Sequence, residues 1–260
     1  MRIFHLRRLI AATTYASLLL GACGGDNGDN TTTVPQLSVE GAFSGSFTGS
    51  KNGQAFRLII LENGEMWMFY GTQAAPALYV GGLIQGQVTQ NNGSLSSTNT
   101  VDFGAMAAIP GSTTASYEMN TSSISGAFSS PALGYHSPFV GTSSNSLYNY
   151  ATAPSLPTIQ GTWTTSTIRG RAVTLQITPS GDISGSSTSD CNFAGRIVPR
   201  PSLKNVFNVS LQLGPAPCGS PGEIASGVVV AYPLADGQME ILLAFVNSTR
   251  TWGWALSGRR

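Results

Sequence analysis

Charge is scarce in this 260-residue chain. Asp, Glu, Lys and Arg together make up 10% of it, against about 25% in ordinary soluble domains. Thirteen basic residues face twelve acidic ones, so there is no basic footprint for nucleic acid and no polybasic patch for an anionic membrane surface. Histidine is rarer still, with only His5 and His136. A Ser-His-Asp or Cys-His centre would have to be built on His136, whose setting (GYHSPF) reads as an exposed, turn-rich loop. The carboxylates are scattered, without the local pair that glycoside hydrolysis needs; Glu62 and Glu65 read as solvated charges flanking a turn. No GxxxxGK[ST] phosphate cradle and no CxxC occur. Past the first two dozen residues there is no apolar stripe of helical period and length. These absences leave no recognisable catalytic constellation, metal site or non-covalent cofactor, and the protein reads as a non-enzyme.

The one long apolar run lies at the start. Arg2, Arg7 and Arg8 precede an apolar stretch from Leu9 to Leu20, a secretory signal too short for an ordinary spanning anchor. Its boundary, Leu20-Gly21-Ala22-Cys23, is similar to the bacterial lipobox. That resemblance implies cleavage after residue 22, a diacylglycerol on the Cys23 sulfur and an N-acyl chain such as palmitate on the new amine. Several acyl chains, at about 0.8 kcal/mol per buried methylene, hold a protein on a membrane essentially permanently. Gly24 in the second mature position resembles the pattern sent to the outer membrane, with the leaflet left open. Residues 24–35 (GGDNGDNTTTVP) cannot bury enough apolar surface to order themselves and read as a flexible tether. Processing removes three arginines, leaving ten basic against twelve acidic residues. Residues 24–157 then carry a net −5 and residues 158–260 a net +3, an asymmetry that suggests two domains with different faces.

With Cys23 acylated, Cys191 and Cys218 remain, and in an oxidising compartment two remaining cysteines are expected to pair. The rest of the chain is a succession of short, alternating apolar runs closed by Gly, Asn or Pro, which is strand patterning. Eight strands are expected in each half. Asn63-Gly64 between two apolar runs is the strongest hairpin signal and suggests a two-residue type I′ turn. Residues 104–116 and 129–147, rich in Gly, Ser, Pro and Ala, read as possible long loops.

The halves echo one another. GAFSGSFTG…LIILENGEMW parallels GTWTTSTIRG…LQITPSGDIS, aligning Gly41 with Gly161 and Gly64 with Gly181. Pro154 and Pro157 mark the junction. Eight consecutive antiparallel strands in about 100 residues favour a closed up-and-down barrel, which removes exposed sheet edges. The expected organisation is a signal peptide (1–22), lipidated Cys23 and tether (23–38), an N-terminal barrel (39–153) and a C-terminal barrel with the disulfide (154–260). Membrane-spanning barrels need an uninterrupted lipid-facing row, and several strands here carry Ser, Thr or Asn on both faces. The combination of lipobox, glycine-rich tether, and Gly-x-Trp or Gly-x-Phe before an apolar strand and an Asn-Gly or Ser-Gly turn resembles uncharacterised proteobacterial lipoproteins. The resemblance implies calycin-like barrels, loosely similar to lipocalins, in the cell envelope. It supplies no catalytic residue.

Aromatic clusters are the remaining candidate binding residues. MWMFY (66–70) sets Trp67 and Phe69 on one face and Met66, Met68 and Tyr70 on the other, suggesting contact with the second domain or with a ligand. Trp252 and Trp254 share a face at spacing two and are expected to pack beside Trp163, or to form a stacking platform. The leading functional expectation is a lipid-anchored, non-enzymatic envelope protein serving in binding, adhesion or structure. Its partners would be the membrane through the lipid and an envelope protein or small ligand. The alternative is a carrier of a small apolar or aromatic ligand inside one barrel, and an enzyme comes third.

Overall fold

The structure, a computed structural model, describes residues 38–104, 107–143 and 147–260. The expected signal peptide, Cys23 and the tether through residue 37 lie outside these residues. The described chain forms two closed eight-stranded antiparallel barrels. The first uses β1 (Gly41–Phe47), β2 (Ala55–Ile60), β3 (Glu65–Ala74), β4 (Ala77–Gln87), β5 (Thr89–Asn91), β6 (Ser94–Phe103), β7 (Ala108–Glu118), β8 (Ser123–Ser130) and β9 (Tyr135–Ser143). Pairing runs β4-β3-β2-β1-β9-β8-β7-β6, β4 closes on β6, and short β5 hangs from β6 as an extra hairpin arm. A single turn of helix, α1 (Leu156–Ile159), leads into the second barrel. This comprises β10 (Gly161–Thr167), β11 (Ala172–Ile177), β12 (Asp182–Ser187), β13 (Asn192–Pro199), β14 (Phe207–Leu213), β15 (Ile224–Pro233), β16 (Met239–Asn247) and β17 (Gly253–Arg259). Its strands pair strictly in sequence order, with β10 closing on β17.

Local chemistry explains the hairpins. At 61–65 the amide of Gly64 donates to the Leu61 carbonyl (2.9 Å) and that of Leu61 to the Glu65 carbonyl (2.9 Å). Only Gly64 takes a positive φ (+81°) there, so the loop has three residues and is not the expected two-residue type I′ turn. Asn63 instead accepts from the Glu65 amide (3.1 Å), fastening the turn from its side chain. The second barrel repeats the device: Gly181 (φ +87°) donates to Thr178, and Thr178 to Asp182. Each turn glycine also accepts from a residue farther along the chain, Gly64 from the amide of Val88 between β4 and β5 and Gly181 from that of Ile197 on β13. The sequence echo between the halves is thus a repeated hydrogen-bonding pattern.

The stretches read as long loops contain strands. β7 and β9 run through them, and His136 stands on β9, exposed, its Nδ1 2.8 Å from the Ser129 hydroxyl. Small residues belong in these strands because neighbouring rings fill the interior for them. A Cβ on Gly141 would come 2.7 Å from the Phe56 ring, and one on Gly111 2.8 Å from Phe128.

Apolar side chains gather in three clusters. Phe43, Phe47, Phe56, Leu58, Phe128 and Phe139 are among those filling the first barrel. Trp163, Leu175, Ile197, Leu211, Leu243 and Phe245 are among those filling the second. The third cluster lies between the barrels. Ile59, Trp67, Phe69, Leu78 and Leu83 on the outer face of β2–β4 pack against Val228, Val230, Tyr232, Leu242 and Ala255 on the outer face of β15–β17. Strand alternation creates this seam. Within β3, Met66, Met68 and Tyr70 point into the first barrel while Trp67 and Phe69 point at the second. The described residues accordingly form one compact unit. The charge asymmetry between the halves appears here as pairing of Glu62 with Arg200 (2.8 Å) and Glu40 with Lys204 (2.9 Å), while Arg57 with Glu240 (3.8 Å) pairs in the opposite sense.

Candidate functional site

Where the apolar seam ends, the outer walls of the two barrels diverge into a cleft of about 1330 Å³. One wall comes from the β2–β3 turn with the ends of β3 and β4, bearing Glu65, Trp67, Gln85 and Gln87. The other comes from β13–β16, bearing Val198, Asn208, Ser226 and Ile224, and from Arg250 in the β16–β17 turn. The sequence LIQGQ puts Gln85 and Gln87 on one face at spacing two, opposite in direction to Ile84 in the first barrel's interior. These glutamines were not among the expected site residues; that alternation, with amides where the seam has leucine, is the one signal that could have found them.

The cleft is held rigidly. Arg250 reaches across it to donate from Nη2 to the Gln85 carbonyl (2.7 Å). Arg200 donates to both Glu62 oxygens (2.8 and 3.1 Å) and to Asn208 Oδ1 (2.7 Å). Glu65 accepts from Trp67 Nε1 (3.2 Å) and Asn63 Nδ2 (2.8 Å). Glu223 accepts from Asn247 (2.7 Å) and Trp252 Nε1 (2.5 Å), and these donors hold its carboxyl below the usual carboxylate range. Burial lowers the Arg250 guanidinium from its ordinary value. Two buried side-chain atoms of cleft-lining residues have no hydrogen-bond partner: Oε1 of Gln85, a residue only 8% exposed, and Nε of Arg250.

The candidate aromatics do not converge on one site. Trp67 forms buried floor of the cleft, and Phe69 lies in the seam. Tyr70 points into the first barrel, where its hydroxyl donates to Asp102 (2.6 Å). The Lys51 ammonium bonds the other Asp102 oxygen (2.9 Å) and stands 3.4 Å from the centre of the Tyr70 ring, so this end of the barrel closes on a buried ion pair. Nothing in the strand patterning flagged Lys51 or Asp102. Trp163 is fully buried in the second barrel and donates to the Ile159 carbonyl (2.7 Å), with Arg260 over its ring. Trp252 and Trp254 are half-buried against the same core. Cys191 and Cys218 are joined in a disulfide, their Cα atoms 4.6 Å apart. A second, shallower concavity of about 990 Å³ lies beside this bridge on the outer face of β11–β14. Among the described residues no three His, Cys, Asp or Glu side chains converge as a metal site.

No protein-family model matches the sequence, and no curated protein matches it. Among solved structures, a "putative outer membrane protein" of Bacteroides fragilis matches at 9% identity and a TM-score of 0.25, covering 85% of this chain and 94% of that one. Transferrin binding protein B from serogroup B Neisseria meningitidis matches at 12% identity and 0.25, covering 84% of this chain and 51% of that one. A mutant of transferrin binding protein B from Haemophilus parasuis matches at 10% and 0.25, covering 83% and 52%. The chain thus spans about half the length of the latter two. At these identities and TM-scores no residue, ligand or partner is carried over.

Proposed function

We propose that this chain is a lipid-anchored protein of the bacterial cell envelope that binds its ligand without transforming it, and that the inter-barrel cleft is the binding surface. The observation that carries this reading is the cleft itself: two barrel walls bridged by Arg250, with an unpartnered buried polar atom on each of two residues that line it. Buried polar groups are nearly always paired, and those that are not are where a ligand gains most by supplying the partner. Large concave sites at the junction of two folded bodies are common positions for ligands. The carrier alternative requires room inside a barrel. Both interiors hold large buried side chains instead, Phe47, Phe56 and Phe128 in the first and Trp163, Phe207 and Phe245 in the second.

Membrane attachment rests on Cys23 and its Leu-Gly-Ala context. Cys23→Ser should leave an unprocessed, unlipidated precursor, and an unchanged mature mass with unchanged detergent partitioning would overturn the anchor. The binding role is tested by native mass spectrometry of protein taken from its own envelope. A bound species should be present on the wild type and lost in Ser226→Trp, which fills the cleft from an exposed position on β15. No bound species, or one that survives this substitution, overturns the cleft as the binding surface.

A further inference from the structure

We infer that the ligand of the inter-barrel cleft is an uncharged saccharide; this rests on the cleft being the binding surface. The charge pattern comes first. Arg200 is taken up by Glu62, and Arg196 by Asp182 (2.9 Å). What remains unpaired by charge is Glu65, Glu223 and Arg250, carboxylates and a guanidinium around one space. These sum to a net −1, which disfavours an anion. A cation would face the arginine, and both carboxylates are already engaged by neutral donors, Glu65 by Trp67 and Asn63 and Glu223 by Asn247 and Trp252, so a positive charge gains little there.

The neutral lining is what a polyhydroxy ligand needs. Gln85 Oε1 is a buried acceptor and Arg250 Nε a donor, both without partners. Around them Gln87, Asn99 and Asn208 each have only part of their amide engaged. The Gln87 side chain donates to the Asn63 carbonyl, Asn99 Oδ1 accepts from the Gln87 backbone N–H (3.1 Å) and the Ser97 hydroxyl (3.0 Å), and Asn208 Oδ1 accepts from Arg200. An amide carries two donors and an acceptor with two lone pairs, and a sugar hydroxyl is both donor and acceptor. Each can therefore complete the other. Ile224 (59% exposed) and Val198 (40% exposed) on the opposite wall offer apolar surface for the C–H face of a sugar ring.

A polypeptide fits less well. Its main chain must satisfy an N–H and a C=O at every residue, and extended peptides usually find those partners on an open sheet edge. Here β13–β16 form the outer face of a closed barrel whose ladder bonds already engage the backbone. Only side chains are available to read a ligand.

The test is an array of uncharged glycans, acidic glycans, amino-sugar glycans and random peptides, probed with the detergent-solubilised full-length protein. Retention should be confined to uncharged glycans and be abolished by Ser226→Trp. Gln85→Leu should weaken it roughly tenfold, about the effect of one unmade hydrogen bond to a buried partner. That variant should melt no lower than the wild type, because leucine replaces a buried acceptor that has no partner in the free protein. Retention of no glycan, unchanged affinity in Gln85→Leu, or selection of peptides or charged glycans overturns the saccharide assignment. If a peptide or charged glycan is retained and lost in Ser226→Trp, only the saccharide falls. If binding is indifferent to Ser226→Trp, the cleft falls with it.

Discussion

Phe69 offers the sharpest test of how the two barrels are joined. It is fully buried, but on the outside of its own barrel: β3 directs it into the seam, between its cross-strand partners Arg57 and Leu83 and against the cluster that holds Val230 and Leu242 of the second barrel. Phe69→Ala removes a ring from a packed site that barrel walls cannot easily collapse to fill, a change that costs about 3–5 kcal/mol. For a single cooperative unit of 150–250 residues each kcal/mol moves the melting temperature roughly 2–4 °C, so the expected drop is roughly 6–20 °C. The assay exploits where the tryptophans are. Trp163, Trp252 and Trp254 belong to the second barrel and only Trp67 to the first, so tryptophan fluorescence reports mainly on the barrel that was not mutated. Its transition should fall by the full amount, together with the calorimetric one. If the fluorescence transition of the second barrel stays at the wild-type temperature while a separate one shifts, the barrels are independent bodies that merely touch. The same seam bears on fragments. Residues 158–260 expressed alone would expose Val228, Val230, Tyr232, Leu242 and Ala255, a contiguous apolar face of the kind that drives association.

Other predictions concern charge and covalent bonding. Lys51→Met strands Asp102 inside the first barrel and should cost about 3–5 kcal/mol in chemical denaturation. Lys51→Met with Asp102→Leu should recover part of that loss, and a double variant no better than the single would show that the ion pair itself is not the source. Burial raises the Glu240 carboxyl above its ordinary value, against the opposing pull of the Leu78 amide, Arg57 and Arg259. A raised folded value means stability that is complete below the ordinary glutamate pKa, about 4.3, and lost as pH rises through the folded one. Wild-type stability should therefore gain on Glu240→Gln as pH falls from 7 toward 4, and a pH-independent difference would refute the assignment. The Cys191–Cys218 bridge closes a separation of 27 residues, for which chain entropy predicts about 3.5 kcal/mol. Reduction or Cys191→Ser should lower denaturant stability by about that amount, and a loss below about 1 kcal/mol would mean that the loop is constrained without it.

Much of the architecture was legible because strand alternation and turn glycines are local properties. β11 and β12 alternate exposed and buried without a break, and their inward residues Val173, Leu175, Ile177 and Ile183 can be read directly as core. Gly64 and Gly181 are needed where the chain must take a positive φ, which a sequence can announce. The pairing of Cys191 with Cys218 followed from the count of cysteines left after Cys23. β7 and β9 were harder to see, because at Gly111 and Gly141 the interior is filled by rings from other strands, Phe128 and Phe56, so glycine stands where an apolar side chain would mark the pattern. MWMFY, apolar on both faces, signalled that the outside of one barrel would be covered, but not by which strands of the other.

The site is a different matter. Gln85 and Arg250 are 165 positions apart, and what makes them interesting is that they meet across a cleft while Oε1 and Nε stay unpartnered. In sequence, a glutamine on a strand's polar face and an arginine in a turn are ordinary surface residues. Burial, pairing and the space between two walls depend on how one barrel docks on the other. The sequence by itself determined most of the strands, the places of their turn glycines and the two barrels, because these follow from period-two patterning and backbone chemistry within a few residues. Only the tertiary structure decided that the outer faces of β2–β4 and β15–β17 are interior, that Glu62 and Arg200 clasp, and that the amides beyond them line a cleft, because those facts arise from contacts between residues far apart along the chain.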